Sequence, residues 1–186
     1  IPFRVTCESG IDDPDGEWKA LFDYFKFNHL KTIRTEKYNG QIVQMHEICP
    51  RNDANAIRGT QYIYPTLKDG VELFGNLQHD NGMIYDLYRW TDKNNTSTLD
   101  GRSIHTDHFV VIQDGWYYMQ RFPVENDLEH FYVQWLWRAW KATGDTEWMK
   151  QWLPNALKAL EYSRNTPLRW SQKYQLLKRG FTIDTW

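Results

Sequence analysis

The sequence predicts a mainly α protein built of antiparallel helical hairpins, with two β-hairpins inserted between them. Three observations carry this expectation. Apolar residues recur every 3.6 positions from Leu128 to Trp140, and start and stop signals bound that run. Further helical runs follow and precede it with short connections. Two β-rich stretches meet at Asn39-Gly40 and two more at Asp114-Gly115, both strong signals for a tight hairpin turn.

After a polar turn at Asp12 to Gly16, Trp18, Leu21, Phe22 and Phe25 lie at helical spacing from Glu17 to about Asn28, which reads as a short packing helix. Thr32, Ile33 and Thr35 then face Ile42 and Val43 across Asn39-Gly40. The second strand delivers Met45-His46-Glu47-Ile48-Cys49-Pro50-Arg51-Asn52-Asp53 to a strand-to-helix junction. The helical pattern from Ala54 is interrupted by Pro65, expected in the first turn of a new helix, and resumes through Leu67, Val71, Phe74 and Leu77 to Asp80-Asn81-Gly82. A polar loop spans Thr91 to Arg102, and Phe109 to Gln113 pairs with Trp116 to Gln120 about a two-residue turn. In the helix that follows, Asn126 and Glu129 have the spacing of a capping box, so the start falls near Asp127, and Gly144 supplies a left-handed stop. Asp145 caps a last helical stretch, with a break expected at Pro154 before Leu157, Leu160 and Arg164.

With 186 residues the chain has enough material for one domain with a core. Ten Trp and eleven Tyr at a mean hydropathy of -0.73 leave two readings for the aromatic rings: a large helical core, or partly exposed rings suited to sugar faces. A net charge of -2 without a basic stripe argues against nucleic acid. No apolar run reaches membrane-spanning length, and no signal peptide precedes Ile1; a start at Ile1 suggests a processed or excised product. Cys7 and Cys49 allow one disulfide or none, which leaves the compartment open. The acceptor patterns at Asn94 and Asn95 lie in a polar loop and carry no weight.

Three acidic junctions hold the candidate chemistry: Arg51-Asn52-Asp53, Arg121 with Glu125 and Asp127, and Arg179 to Trp186 with Asp184. Each joins carboxylates to an arginine or an aromatic. Glycoside hydrolysis needs a carboxylic acid to protonate the leaving oxygen and a second carboxylate to activate water or attack. Asp53 and Asp127 also read as ordinary helix caps. His105 and His108 fall on opposite faces of a strand and no further ligand cluster accompanies them, so no metal is expected. Phosphate loops, dinucleotide fingerprints and nucleophile elbows do not occur, so no cofactor is expected either.

The order Pro50-Arg51-Asn52-Asp53, Asp80-Asn81-Gly82-Met83-Ile84, Met119-Gln120-Arg121-Phe122-Pro123, Ala142-Thr143-Gly144-Asp145 and Leu153-Pro154 resembles the six-hairpin (α/α)6 glycosidases, with trehalases and processing α-glucosidases the nearest in kind. The resemblance implies residues 1–50 as an N-terminal helix and β-hairpin leading into the toroid, and residues 51–186 as an incomplete (α/α)6 catalytic-type domain. It further implies an inverting hydrolase of α-linked glucose-type or related sugars, with Asp184 as the acid. Arg51, Asp53, Arg121 and Glu125 are then expected to bind sugar hydroxyls, and Trp116 and Trp186 to stack on sugar rings. The expected partners are a carbohydrate and, if the chain is a fragment, the remainder of the toroid. The alternative is a non-catalytic helical domain that binds a glycan or a protein partner. A lyase acting on an acidic sugar is disfavoured by the excess of acid over base at the junctions.

Overall fold

Among the described residues twelve elements follow one another: α1 (Glu17–Lys31), β1 (Arg34–Tyr38), β2 (Gln41–Met45), α2 (Pro50–Thr60), α3 (Asp69–Asn76), β3 (Leu87–Trp90), β4 (Val111–Gln113), β5 (Tyr117–Gln120), α4 (Leu128–Thr143), α5 (Thr146–Asn165), β6 (Trp170–Ser171) and β7 (Leu176–Leu177). They come from a computed structural model that describes residues 10–31, 33–38, 40–45, 49–63, 66–90, 111–113, 117–120, 127–167 and 169–178. The described part is mainly helical, with small antiparallel sheets.

The α4–α5 hairpin forms where its local signals place it. Gly144 takes φ 70°, a conformation glycine adopts without strain, and its N–H donates to the Trp140 carbonyl at 2.8 Å. The Asp145 carboxylate then accepts the Trp148 N–H at 3.0 Å, capping α5. Tyr132, Trp135, Leu136 and Ala139 on α4 and Trp148, Trp152, Ala156 and Ala159 on α5 are buried, so each helix turns one stripe into a shared core. Val71, Leu73 and Phe74 of α3, Ile57 of α2 and Met45 of β2 complete it.

Two glycines set how closely α3 approaches this hairpin. A Cβ at Gly70 would lie 1.8 Å from the Trp135 ring, and one at Gly75 would lie 2.5 Å from both Trp152 and the Tyr132 hydroxyl. Large rings on one side and bare backbone on the other are therefore matched in shape. Trp135 also donates its indole N–H to the Leu67 carbonyl at 3.0 Å, and Trp148 donates to Glu72 at 2.8 Å, so these two indoles find acceptors on the α3 side.

The second helix pair repeats the direction of the first. Arg51 bonds Asp127 and Arg58 bonds Gln134, both across 76 residues, so α4 runs parallel to α2. Glu72 to Trp148 spans 76 residues, while Lys68 to Asp145 and Gln78 to Asn155 span 77, so α5 runs parallel to α3. The N-terminal ends of α2 and α4 consequently lie side by side.

Several expectations need correction. In α1, expected as a packing helix, Trp18, Leu21 and Phe25 are exposed and Phe22 is half-buried. The helix expected from Ala54 begins at Pro50, whose missing N–H costs nothing in a first turn. The next helix starts at Asp69, and Pro65, expected in its first turn, lies outside the described residues. Pro154 does not break α5; it sits exposed inside a continuous helix held on both sides by buried Trp148, Trp152, Ala156 and Ala159. Packing there offsets a proline cost of about 3 kcal/mol. The Asn39-Gly40 hairpin forms, with Tyr38 paired to Gln41. In the second hairpin Gln113 pairs with Tyr117, which leaves three residues between the strands instead of two. A strand at 87–90, unexpected from the sequence, pairs with β5 and makes that sheet three-stranded.

Candidate functional site

The N-terminal ends of α2 and α4 gather a set of buried charges. Arg51 in the first turn of α2 is 4 % exposed and Asp53 is 2 % exposed. The Arg51 Nη2 donates to Asp127 Oδ1 at 2.7 Å, and its guanidinium lies 5.9 Å from the Phe131 ring centre. Asp127 occupies the N-cap position of α4, yet its side chain makes no capping bond and turns to Arg51 instead. A charge-assisted bond to a buried guanidinium is worth more than a bond to a single backbone N–H.

Glu129, two residues further on, is fully buried. Its Oε2 accepts from Arg169 Nη1 at 2.7 Å and its Oε1 accepts the Ile84 N–H at 3.1 Å. Arg169 is itself buried and lies 5.5 Å from the Tyr162 ring. Asp86, two residues past Ile84, is buried and accepts from the Cys49 thiol at 3.7 Å, at the N-cap of α2. Contacts thus run from Arg51 through α4 to Arg169 and through Ile84 and Asp86 back to Cys49.

Burying a charge costs several kcal/mol even after relaxation, and a pair recovers that cost only with good geometry and further hydrogen bonds. Among the described residues, Arg51, Asp53, Asp86, Glu129 and Arg169 are the buried charged side chains. Parallel helix N-termini supply partial positive charge that favours carboxylates there. An apolar core of similar shape would be at least as stable. A preorganised, water-poor set of donors and acceptors at one end of a bundle is instead suited to bind a polar ligand.

The structure brings together Arg51 and Asp53 from the first expected junction and Asp127 from the second. Neither Asp53, inside the first turn of α2, nor Asp127 acts as a side-chain cap. Trp116, Arg121, Glu125, Asp184 and Trp186 lie outside the described residues, as do Asn126, His105 and His108. Among the described residues no group of His, Cys, Asp and Glu is arranged to hold a metal, and no helix is long and apolar enough to cross a membrane. Sequence reasoning missed Asp86 and Arg169 and read Glu129 only as half of a capping box. Their partners lie far away in the chain: Arg169 is 40 residues from Glu129, and Cys49 is 37 from Asp86. The one usable signal was a charged residue beside an apolar run, as in Met83-Ile84-Tyr85-Asp86.

No family model, no curated protein and no solved structure matches this chain.

Proposed function

We propose that the chain is a portion of an (α/α)6 toroid glycoside hydrolase acting on α-linked glucose-type or related sugars, with the end of the bundle around Arg51 and Asp127 facing the substrate. The observation that supports this most is the stacking of two parallel helix pairs at a common spacing of 76 to 77 residues. In a ring built by repeating that step, alternate helices all point their N-termini to one end. Buried carboxylates and arginines collect at that end here, where a glycosidase needs them.

On this reading Arg51 and Asp53 bind sugar hydroxyls, and Glu129 with Arg169 holds the first turn of α4 in place. Trp116 and Trp186 stack on sugar rings, and Arg121 and Glu125 add polar contacts. Asp184 donates its proton to the glycosidic oxygen as the bond to the anomeric carbon breaks. A second carboxylate, from the remainder of the toroid, takes a proton from water, and the water oxygen attacks the opposite face with inversion.

One observation favours the other reading, a non-catalytic domain that binds a glycan or a partner: the Arg51–Asp127 and Arg169–Glu129 pairs satisfy each other within the chain. Hydrolysis of a panel of α-glycosides by the complete protein separates the two, with the anomeric form of the released sugar followed by NMR. Asp184→Asn is expected to abolish turnover while leaving the melting temperature in place. Unaltered turnover removes the acid role, and no turnover by the wild type on any α-glycoside supports the binding domain.

A further inference from the structure

The last turn of α5 and the β6–β7 hairpin line an open groove of about 420 Å³ bordered by Glu161, Arg164, Asn165, Trp170, Gln172 and Gln175. Its walls are held by the interior. Arg169, immediately before Trp170, is buried on Glu129, and the Lys178 N–H donates to the Arg169 carbonyl at 2.7 Å, which closes the hairpin. Trp170 is half-buried, with the Arg164 guanidinium 6.0 Å from its ring centre. At the turn, Gln175 takes φ 53°, a left-handed conformation unusual for a residue with a long side chain. Its N–H donates to the Ser171 carbonyl at 2.8 Å, and its amide Nε2 donates to the Gln172 carbonyl at 2.8 Å.

We propose that this groove is a binding site for a neutral saccharide, separate from the Arg51 cluster. Its chemistry selects that class. A Trp ring offers a flat apolar face with a polar edge, which suits the alternating C–H and hydroxyl faces of a sugar. Three side-chain amides line it, those of Asn165, Gln172 and Gln175; the Gln175 Nε2 donates to the Gln172 carbonyl at 2.8 Å and lies 3.5 Å from the Gln172 Oε1, and the remaining amide donors and acceptors match vicinal hydroxyls that also do both. The single cation, Arg164, is balanced by Glu161, so the groove carries no net formal charge to recruit an anion. Its volume falls in the range of small-molecule sites, about 300–1,000 Å³.

This site goes beyond the proposed hydrolase and is read without turnover. The full chain is titrated with glucose-, galactose- and mannose-based disaccharides while the Trp170 indole N–H and the Gln172 and Gln175 amide signals are followed by NMR. Those signals are expected to shift together with one of the sugars, and Gln172→Ala is expected to weaken that response by about tenfold. The substitution keeps the backbone carbonyl that holds Gln175 and removes the weaker 3.5 Å contact to the Gln172 side chain, and an unchanged amide spectrum elsewhere checks the fold. The proposal is overturned if none of the sugars moves these signals at millimolar concentration. It is equally overturned if the shifts are the same in Gln172→Ala, or if inorganic phosphate moves them more than every sugar does.

Discussion

Arg169 Nη1 meets Glu129 Oε2 at 2.7 Å with both side chains almost wholly buried, joining the first turn of α4 to the chain that leaves α5. Because Glu129 also takes the Ile84 N–H, a single carboxylate ties three separate segments together. Arg169→Met removes the buried guanidinium from that carboxylate and is expected to cost about 3–5 kcal/mol. Adding Glu129→Gln, which removes the charge and retains an acceptor for Ile84, should restore part of the loss. Urea unfolding of the two variants checks both; a loss below about 1 kcal/mol in Arg169→Met would mean that the pair contributes little.

Gly70 and Gly59 sit in helices but should respond oppositely to alanine. Gly70→Ala drives a methyl into the Trp135 ring, and overpacking of this kind costs about 1–3 kcal/mol or more. Gly59 is exposed near the end of α2 with nothing near its missing Cβ, so Gly59→Ala is expected to stabilise by about 0.5–1 kcal/mol. Melting temperatures that move in the same direction for both would contradict the packing described for α3.

Asp69 and Asp145 predict opposite slopes with pH. Burial raises the Asp69 pKa, against the lowering effect of its bond from the Gln44 N–H. The native state therefore holds that proton more tightly than the unfolded chain, and the Asp69 contribution worsens as pH rises from the ordinary carboxylate range through the raised value. In Asp145 the bond from Lys68 lowers the pKa, followed by that from the Trp148 N–H. Its contribution is complete above the ordinary carboxylate value and fades as pH falls through the lowered one. Asp69→Asn should thus gain most in melting temperature near neutrality, whereas Asp145→Asn, which can still cap α5, should lose there and converge on wild type in acid.

Asp53 is expected to matter more for ligand than for stability. Asp53→Asn keeps the shape of this buried side chain and an acceptor oxygen, so the urea midpoint is expected to move little. α-Glycoside hydrolysis by the complete protein should fall by about tenfold or more, since a charge-assisted bond to a sugar hydroxyl is lost. Full activity with reduced stability would assign Asp53 to the scaffold.

What could be read from the chain is what neighbours in sequence decide. The apolar period of α4, the glycine stop at Gly144, the Asp145 cap and the Asn39-Gly40 turn are all settled within a few residues, and each appears where its residues place it. Arg51 and Asp53 were also legible, as charges at a strand-to-helix junction. Tertiary structure alone decided that Pro154 stays inside a helix, that Trp18, Leu21 and Phe25 of α1 are exposed, and that residues 87–90 form a strand. It likewise decided that Asp127 turns from its own helix to Arg51, and that Glu129 and Arg169 meet in the interior. The physical reason is the same in each case. Local signals fix torsions and caps worth about 1 kcal/mol apiece, while packing and buried charge pairs join residues tens of positions apart at several kcal/mol and overrule them.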